Sequence, residues 1–370
     1  MKKKILLFKS YSDKDDVKAV EKVIKRGIWW VKGPEIEEFE EKVAGFVGRR
    51  YGISFNSGTT ALYSILLAYG INNGQVIVPS YTFPATANAV LAAGAEPVFA
   101  DIEEQSLALD YKDVAGRITA KTRAIMPIHF AGDICRDIHR LKKLARERDV
   151  YLFEDAAHSL GANLNGRNVG AFGDAAMFSF CFNKILTTGE GGMVVTDSKK
   201  LAERLKLIRS HGRNAKGDYV RYGFNFRMSS MTAALGLSQF KKLDYIISTR
   251  RKTANYLNKR LLDVPGVKVP VPEKGHDSVF QMYNIQLENR QTRGGLKKHL
   301  ESKGIPTRIT YTPVHLYSNY RKKLNYKEGD LPVTEKISGC ILTLPFYVGL
   351  AYSDIDFIVR QIACFMKGKL

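Results

Sequence analysis

Three short stretches of the chain carry residues whose types and spacing could do chemistry. FSFCFNKILTTGEGG places a single lysine, Lys184, between an apolar strand-like run and a loop containing Gly189, Gly191 and Gly192. An amine held in a pocket there can form an imine with an aldehyde or ketone, although a lone lysine reads equally as a solvated surface residue. Asn56-Ser57-Gly58-Thr59-Thr60 is small and hydroxyl-bearing and opens a helical pattern. The free N–H groups and dipole of a helix start seat a phosphate, and an ordinary cap has the same composition. Phe153-Glu154-Asp155-Ala156-Ala157-His158 ends an apolar run in carboxylates. A buried carboxylate is costly unless it meets a positive charge or hydrogen-bond donors.

A protonated pyridine nitrogen would satisfy such a carboxylate, and so would a structural salt bridge. Taken together, a phosphate seat, a buried carboxylate and a lysine are the three anchors that pyridoxal phosphate needs, for its phosphate, ring nitrogen and aldehyde. Ser179 lies five residues before Lys184, and His158 three after Asp155. No GxxxxGK or GxGxxG occurs, which excludes the common nucleotide-binding loops.

The elements that must position these groups follow from periodicity. Ile53–Phe55 reads as a strand, followed by a helix over NSGTTALYSILLAYG closed by Gly70. VIVPS is a strand and PATANAVLAAG a helix closed by Gly94; PVFADI, RAIMPIHF and VYLFEDAAHS are further strands, with amphipathic DIHRLKKLARERD between the last two. This rhythm implies an α/β fold with a largely parallel sheet between helices, where ligands collect at the carboxyl ends of strands. From residue 228 the texture changes. SSMTAALGLSQFKKLDYIISTRRKTANYLNKRL reads as one long helical stretch, VKVPVP and FQMYNIQL follow, and SDIDFIVRQIACFM reads as a helix opened by a capping box. The expected division is a large domain over residues 1–250 and a smaller C-terminal α+β domain over 251–370.

Composition narrows the classes. The 370 residues are 45% hydrophobic and 25% charged, ordinary for a soluble globular protein, and no run is apolar enough to span a bilayer. Cys135, Cys181, Cys340 and Cys364 are far apart, which disfavours a disulfide framework or metal cluster and leads us to expect four buried thiols in a cytoplasmic protein. The net charge of +20 raises the question of nucleic acid, but the basic residues are mixed with acids and carry no recognisable RNA- or DNA-binding motif. A broad positive field also attracts phosphate-bearing small molecules.

The chain resembles the nucleotide-sugar aminotransferases of the DegT/DnrJ/StrS type, a branch of fold-type I pyridoxal-phosphate enzymes. The resemblance runs through WWVKGPEIEEFEEKVAGFVG, NSGTTAL, PSYTFPATANAV, FEDAAHSLGA, GAFGDAAMFSF, NKILTTGEGG, YGFNFRMSSMTAALGLSQF and YTPVHLY, in that order. It implies a seven-stranded, mostly parallel sheet and pyridoxal 5'-phosphate as cofactor, with no metal. Lys184 would bind the aldehyde and Asp155 the pyridinium nitrogen. Phe83 and Ala157 would flank the ring, and Gly58, Thr59 and Ser179 would hold the phosphate with Asn225 of a neighbouring subunit in a homodimer. His158 would stand beside the cofactor and His315 near the sugar. Many members carry a histidine where this chain has Cys181. The implied reaction moves an amino group from an amino acid, usually glutamate, to a nucleotide-linked keto sugar such as a 4-keto-6-deoxyhexose. A pyridoxamine-dependent sugar dehydratase is disfavoured because Lys184 is present, and a regulatory or nucleic-acid-binding protein on the same fold because all three anchors are.

Overall fold

Short apolar runs become the strands of one central sheet. The computed structural model describes residues 5–368. Its first strands are β1 (Tyr51–Phe55), β2 (Gln75–Pro79), β3 (Glu96–Ala100), β4 (Thr122–Ile125) and β5 (Tyr151–Asp155). A small hairpin of β6 (Asn163–Leu164) and β7 (Arg167–Asn168) precedes β8 (Ala175–Ser179) and β9 (Gly192–Thr196). Seven of these form a sheet in the order β1-β9-β8-β5-β4-β2-β3. Only β9 runs against its neighbours; the remaining pairs are parallel. Six strands therefore end at one edge of the sheet, and β9 begins there.

Helices cover both faces. α1 (Lys14–Arg26) and α2 (Pro34–Val47) precede the sheet. α3 (Gly58–Tyr69), α4 (Ala85–Ala92), α5 (Tyr111–Arg117) and α6 (Ile138–Glu147) make its crossovers. α7 (Lys199–Arg209), α8 (Ser230–Phe240) and α9 (Leu243–Leu261) follow it. The two-residue period of the strands divides their side chains between two cores: Ile77, Leu152, Phe178 and Val195 enter one, and Val76, Val78, Phe153, Met177 and Val194 the other.

The rest of the chain builds a second, antiparallel sheet from β10 (Val267–Lys268), β12 (Tyr283–Leu287) and β13 (Ile341–Leu344), while β11 (His276–Asp277) adds to the small hairpin. α10 (Arg290–Ser302), α12 (Pro332–Cys340) and α13 (Tyr352–Lys367) complete it, whereas α11 (Ser318–Leu324) sends Tyr320 back into a core of the large sheet. Leu243, Ile246 and Ile247 at the start of α9 pack with the large sheet. Ala254, Leu257 and Leu261 at its end pack with Tyr283, Ile285 and Leu342 of the second sheet.

Three local expectations change. The stretch from residue 229 is two helices, α8 and α9, broken at Lys241 and Lys242, where Lys242 N donates to Gln239 O three residues back. The Lys242 amine is drawn out to Asp13 and Asp16 of α1, which fixes the corner. α13 starts at Tyr352 behind Ala351, with no side-chain cap, so Ser353 lies inside the first turn instead of capping it. Cys135 and Cys340 are buried, but Cys181 is half-buried and Cys364 exposed. On α13 the inward stripe is Ile355, Ile358, Ile362 and Met366, a spacing that leaves position 364 outside. Among the described residues no helix is long and apolar enough to cross a membrane.

The end of β5 rests on a buried carboxylate–imidazole hydrogen bond. Glu154 is fully buried; it accepts from Gly170, Phe172 and Gly173 N–H groups and meets His129 Nε2 at 3.0 Å. His129 Nδ1 accepts from Cys135 N–H, so the ring's other nitrogen carries the proton toward Glu154. Burial alone would raise the Glu154 pKa, but the hydrogen bond from His129 and those from the backbone N–H groups outweigh it and hold it below the usual value. Glu154→Ala would leave three donors and His129 unpaired in the core, and we expect a loss of about 3–5 kcal/mol in urea unfolding. In the wild-type protein the stability from this depressed carboxylate is present above its unfolded pKa and declines as pH falls through the folded one. The pH dependence of the unfolding midpoint should therefore flatten on the acid side in the variant.

Candidate active site

The strand ends gather the candidate residues in one region. Asp155 closes β5 and is 3% exposed. Its Oδ2 accepts from Thr86 Oγ1 at 2.8 Å and its Oδ1 from Ala157 N–H at 3.2 Å. Thr86 lies in the first turn of α4, and Thr82 Oγ1 meets its hydroxyl at 2.9 Å. Burial raises the Asp155 pKa, and the Thr86 and Ala157 hydrogen bonds and the Lys184 charge offset this only in part. The carboxylate is thus short of positive partners on its open side.

Lys184 sits in the loop between β8 and β9. That loop is stitched to itself by Phe180 N to Gly191 O and Thr188 N to Phe180 O, both 2.9 Å, and Lys184 N closes a turn on Cys181 O. Ser10 Oγ donates to Phe182 O at 2.6 Å, and the Gln281 amide donates to Asn183 O, so distant segments pin the turn. The Lys184 amine has no hydrogen-bond or ion-pair partner among the described residues. Burial lowers its pKa to about 8, opposed by the charges of Asp155, Cys181 and Glu190 and assisted by that of Arg308. A substantial neutral fraction at physiological pH makes it a competent nucleophile.

The third anchor is the start of α3. Ser57 caps the helix by accepting from Thr60 N at 3.2 Å, and Thr59 is exposed beside it. A Cβ added to Gly58 would lie 3.1 Å from Ser179 Cβ and 3.3 Å from its Oγ, so glycine alone lets the helix start approach the end of β8 this closely. Backbone N–H groups, the Ser179 hydroxyl and the helix dipole meet there, a combination that could seat a phosphate. Phosphate cradle, buried acid and unpaired amine fit pyridoxal phosphate at its three polar points.

The remaining sequence candidates fall around these. His158 is buried; its Nδ1 accepts from Ala131 N–H at 3.4 Å, leaving the proton on Nε2, which faces Tyr311 Oη at 3.5 Å. Burial and the Lys184 charge push its pKa well below the usual value, so the ring is neutral. Phe83 is 54% exposed and reaches Tyr311 at a ring-centroid distance of 6.0 Å. Ala157 is half-buried beside Asp155. Asn225 is exposed, with its backbone carbonyl 3.5 Å from Asn56 Nδ2 of the same chain. His315 is fully buried: Nδ1 meets Ser80 Oγ at 2.6 Å and Nε2 meets Glu335 at 3.1 Å. With both nitrogens engaged it offers no free edge to a ligand and instead fixes Ser80 at the end of β2.

Sequence reasoning missed Thr86, Tyr311 and Arg308. Thr86 was visible as the partner, four residues on, of Thr82 at a helix start. Tyr311 opens the YTPVHLY stretch but was not singled out within it, and Arg308, three residues earlier, had no local signal.

The model of the DegT/DnrJ/EryC1/StrS aminotransferase family matches residues 10–363. The chain is 37% identical to GDP-perosamine synthase from Caulobacter vibrioides over 342 residues, covering 90% of this chain and 91% of that one. It superposes on Helicobacter pylori PseC, an aminotransferase involved in pseudoaminic acid biosynthesis, with a TM-score of 0.93 at 28% identity, covering 99% and 100% of the two chains. For S. venezuelae DesV, solved in complex with a ketimine intermediate, the TM-score is 0.90 at 33% identity, covering 95% of this chain and 94% of that one.

The balance of charges at Lys184 has a measurable consequence. In protein stripped of cofactor, the pH midpoint for modification of Lys184, followed by peptide mass spectrometry, is expected near 8. Asp155→Asn removes the charge that raises this pKa, so its midpoint should fall. An upward shift would mean that Asp155 does not face the amine.

Proposed function

The chain belongs to the DegT/DnrJ/EryC1/StrS aminotransferase family, and from that premise we propose that it transfers an amino group from an amino acid, L-glutamate being the first candidate, to a nucleotide-linked keto sugar, most naturally a 4-keto-6-deoxyhexose. The observation that carries this reading is the convergence of an unpaired Lys184 amine, a buried Asp155 and the cradle at the start of α3. The name of the perosamine relative couples a nucleotide to an amino sugar, which supports the substrate class. We place the enzyme in the cytoplasm and in glycan biosynthesis, with residues 1–250 holding the cofactor and 251–370 closing the site.

Pyridoxal phosphate, when bound, supplies the electron sink and carries nitrogen from donor to acceptor. The α3 N–H groups at Gly58 and Thr59 and the Ser179 hydroxyl would hold its phosphate. Asp155 would hold a proton on its ring nitrogen, an arrangement the raised pKa does not prevent, because a positive partner restores the carboxylate. Phe83 and Ala157 would confine the ring. Lys184 would anchor the aldehyde and, once displaced by the donor, use Nζ to remove the donor's Cα proton and later to return one. Neutral His158 would orient Tyr311 without adding charge beside the amine, and buried His315 would position Ser80.

Lys184→Ala is expected to fold and to lose turnover entirely. Borohydride reduction of the yellow wild-type protein should leave the cofactor on the Lys184 peptide; an adduct on another lysine would refute the assignment. Screening nucleoside-diphosphate keto sugars with L-glutamate tests the substrate class, and turnover confined to simple keto acids would overturn it.

We further propose a homodimer in which Asn225 completes the partner's phosphate site. Trp29, Trp30, Tyr219 and Tyr222 are large side chains left exposed, which is consistent with their burial against a second copy. Asn225 also lies near its own Asn56, so the two arrangements need separating. Mixing Lys184→Ala with Asn225→Asp subunits gives half mixed dimers, each with one intact site if the asparagine is lent across. Activity should then recover to about a quarter of wild type after verified exchange. No recovery would assign Asn225 to its own chain.

A further inference from the structure

Arg308 is exposed, yet its backbone is fixed. Its N–H and carbonyl bridge Thr343 of β13 at 3.1 and 2.8 Å, so the Cα is held on the second sheet while the side chain is free. The guanidinium carbon lies 6.0 Å from the centroid of the Tyr311 ring. Tyr311 in turn stacks on His158 at a centroid distance of 6.4 Å and an interplanar angle of 22°, and contacts Phe83. Arg308 thus stands beside the Tyr311–His158 pair, with its charge reaching the Lys184 amine. No carboxylate pairs with it among the described residues, and no carbonyl takes up its N–H groups. Arg250 shows the contrast: it is buried, and its Nε and Nη2 donate to the Phe280 and Gln281 carbonyls.

From this placement we infer that Arg308 receives the carboxylate of the amino donor, an assignment that rests on the aminotransferase reading above. An amino acid brings a carboxylate one bond from the carbon that reacts. A nucleotide sugar aminated at C4 brings its diphosphate five bonds away, through C3, C2, C1 and the glycosidic oxygen. A cation whose charge reaches the Lys184 amine is placed for the nearer anion. A guanidinium also matches a carboxylate with two parallel hydrogen bonds. The second substrate presents an uncharged ring at the same place, which a cation locked in position would disfavour. A guanidinium resting on an aromatic face can swing aside, because that contact is weak at an exposed site.

The test uses holoenzyme of wild type, Arg308→Gln and Arg308→Lys, with the two half-reactions followed separately by absorbance. L-glutamate converts the yellow aldehyde form, and a nucleotide keto sugar restores it from the amine form. Arg308→Gln should raise the glutamate concentration for half-maximal rate ~10- to 100-fold, the effect of one lost charge-assisted contact. The sugar half-reaction should change by less than about twofold. Arg308→Lys should fall between, keeping the charge without the fork. As a readout independent of turnover, the dissociation constant of glutarate, a non-reacting dicarboxylate, should rise in parallel. Equal losses in both halves, a loss confined to the sugar half, or unchanged glutarate binding would each overturn the assignment. If wild type accepts no amino acid, the aminotransferase reading fails and takes this one with it. If wild type accepts glutamate and Arg308→Gln is unimpaired, this assignment fails alone.

Discussion

Asp155 is buried at the end of β5 with too few partners for its charge, and much of the surrounding architecture answers to that. Adjacent residues of a strand face opposite sides, so Glu154 and Asp155 enter different surroundings. Glu154 is saturated by His129 and three backbone N–H groups, and its pKa falls. Asp155 accepts only from Thr86 and Ala157, and its pKa rises. Burial is the leading contribution at both positions. The difference is that one carboxylate is completed by the protein and the other is left to be completed by something positive. The first acts as the foundation: by tying β5 to the His129 turn and to the 170–173 loop, it fixes the strand end on which the second is displayed.

The sheet topology supplies what that carboxylate needs. Six parallel strands bring their carboxyl ends to one edge, which delivers Asp155, Ser80, Ser179 and the start of α3 together. A lysine in an ordinary crossover would be carried away from that edge by the following helix. Reversing β9 avoids this, since the chain leaves β8 and re-enters the sheet from the same edge, and the whole 180–191 loop stays over the site. The cost is a crowded junction. The end of β8, the start of β9 and the start of α3 meet, with Ser179 paired to Gly192 and Gly58 against Ser179. Small residues are required there because three backbones converge, and the same closeness forms the cradle.

How much of this the sequence disclosed depends on how local the signal was. Lys184, Asp155 and the Ser57–Gly58 turn stand at the junction of an apolar run with a glycine loop or helix start, and such junctions are written in adjacent residues. The crossover rhythm was legible for the same reason. The break between α8 and α9 was not, because it is set by Lys242 reaching to α1, more than two hundred residues earlier in the chain. His315 lay in a matched motif, but its enclosure by Ser80 and Glu335 joins three separate elements. Tyr311 and Arg308 belong to the segment that pairs with β13 yet act at the edge of the large sheet, a placement that only the packing of the two sheets decides.

The Lys184 amine faces opposed requirements. It must be neutral to attack an aldehyde, and a positive charge there would help to balance Asp155. Burial and Arg308 favour the neutral form, while Asp155, Cys181 and Glu190 favour the cation, and the outcome is a pKa of about 8. Each charge that enters the site shifts this balance. A positive ring nitrogen on Asp155 would offset the first of the charges that hold the amine protonated, which would make the amine easier to deprotonate. A donor carboxylate on Arg308 acts in the opposite sense, cancelling a positive neighbour and raising the basicity of the amine. That second shift comes when it is useful, because an amine just displaced by the donor must next take a proton from carbon. Departure of the keto acid removes the anion and restores the positive field for the next ligand. With an uncharged sugar ring in the same place, no such change occurs at Arg308, and Lys184 handles its proton at the lower basicity. On the proposed assignment, the two half-reactions would therefore differ in the electrostatics of one lysine while sharing their catalytic groups.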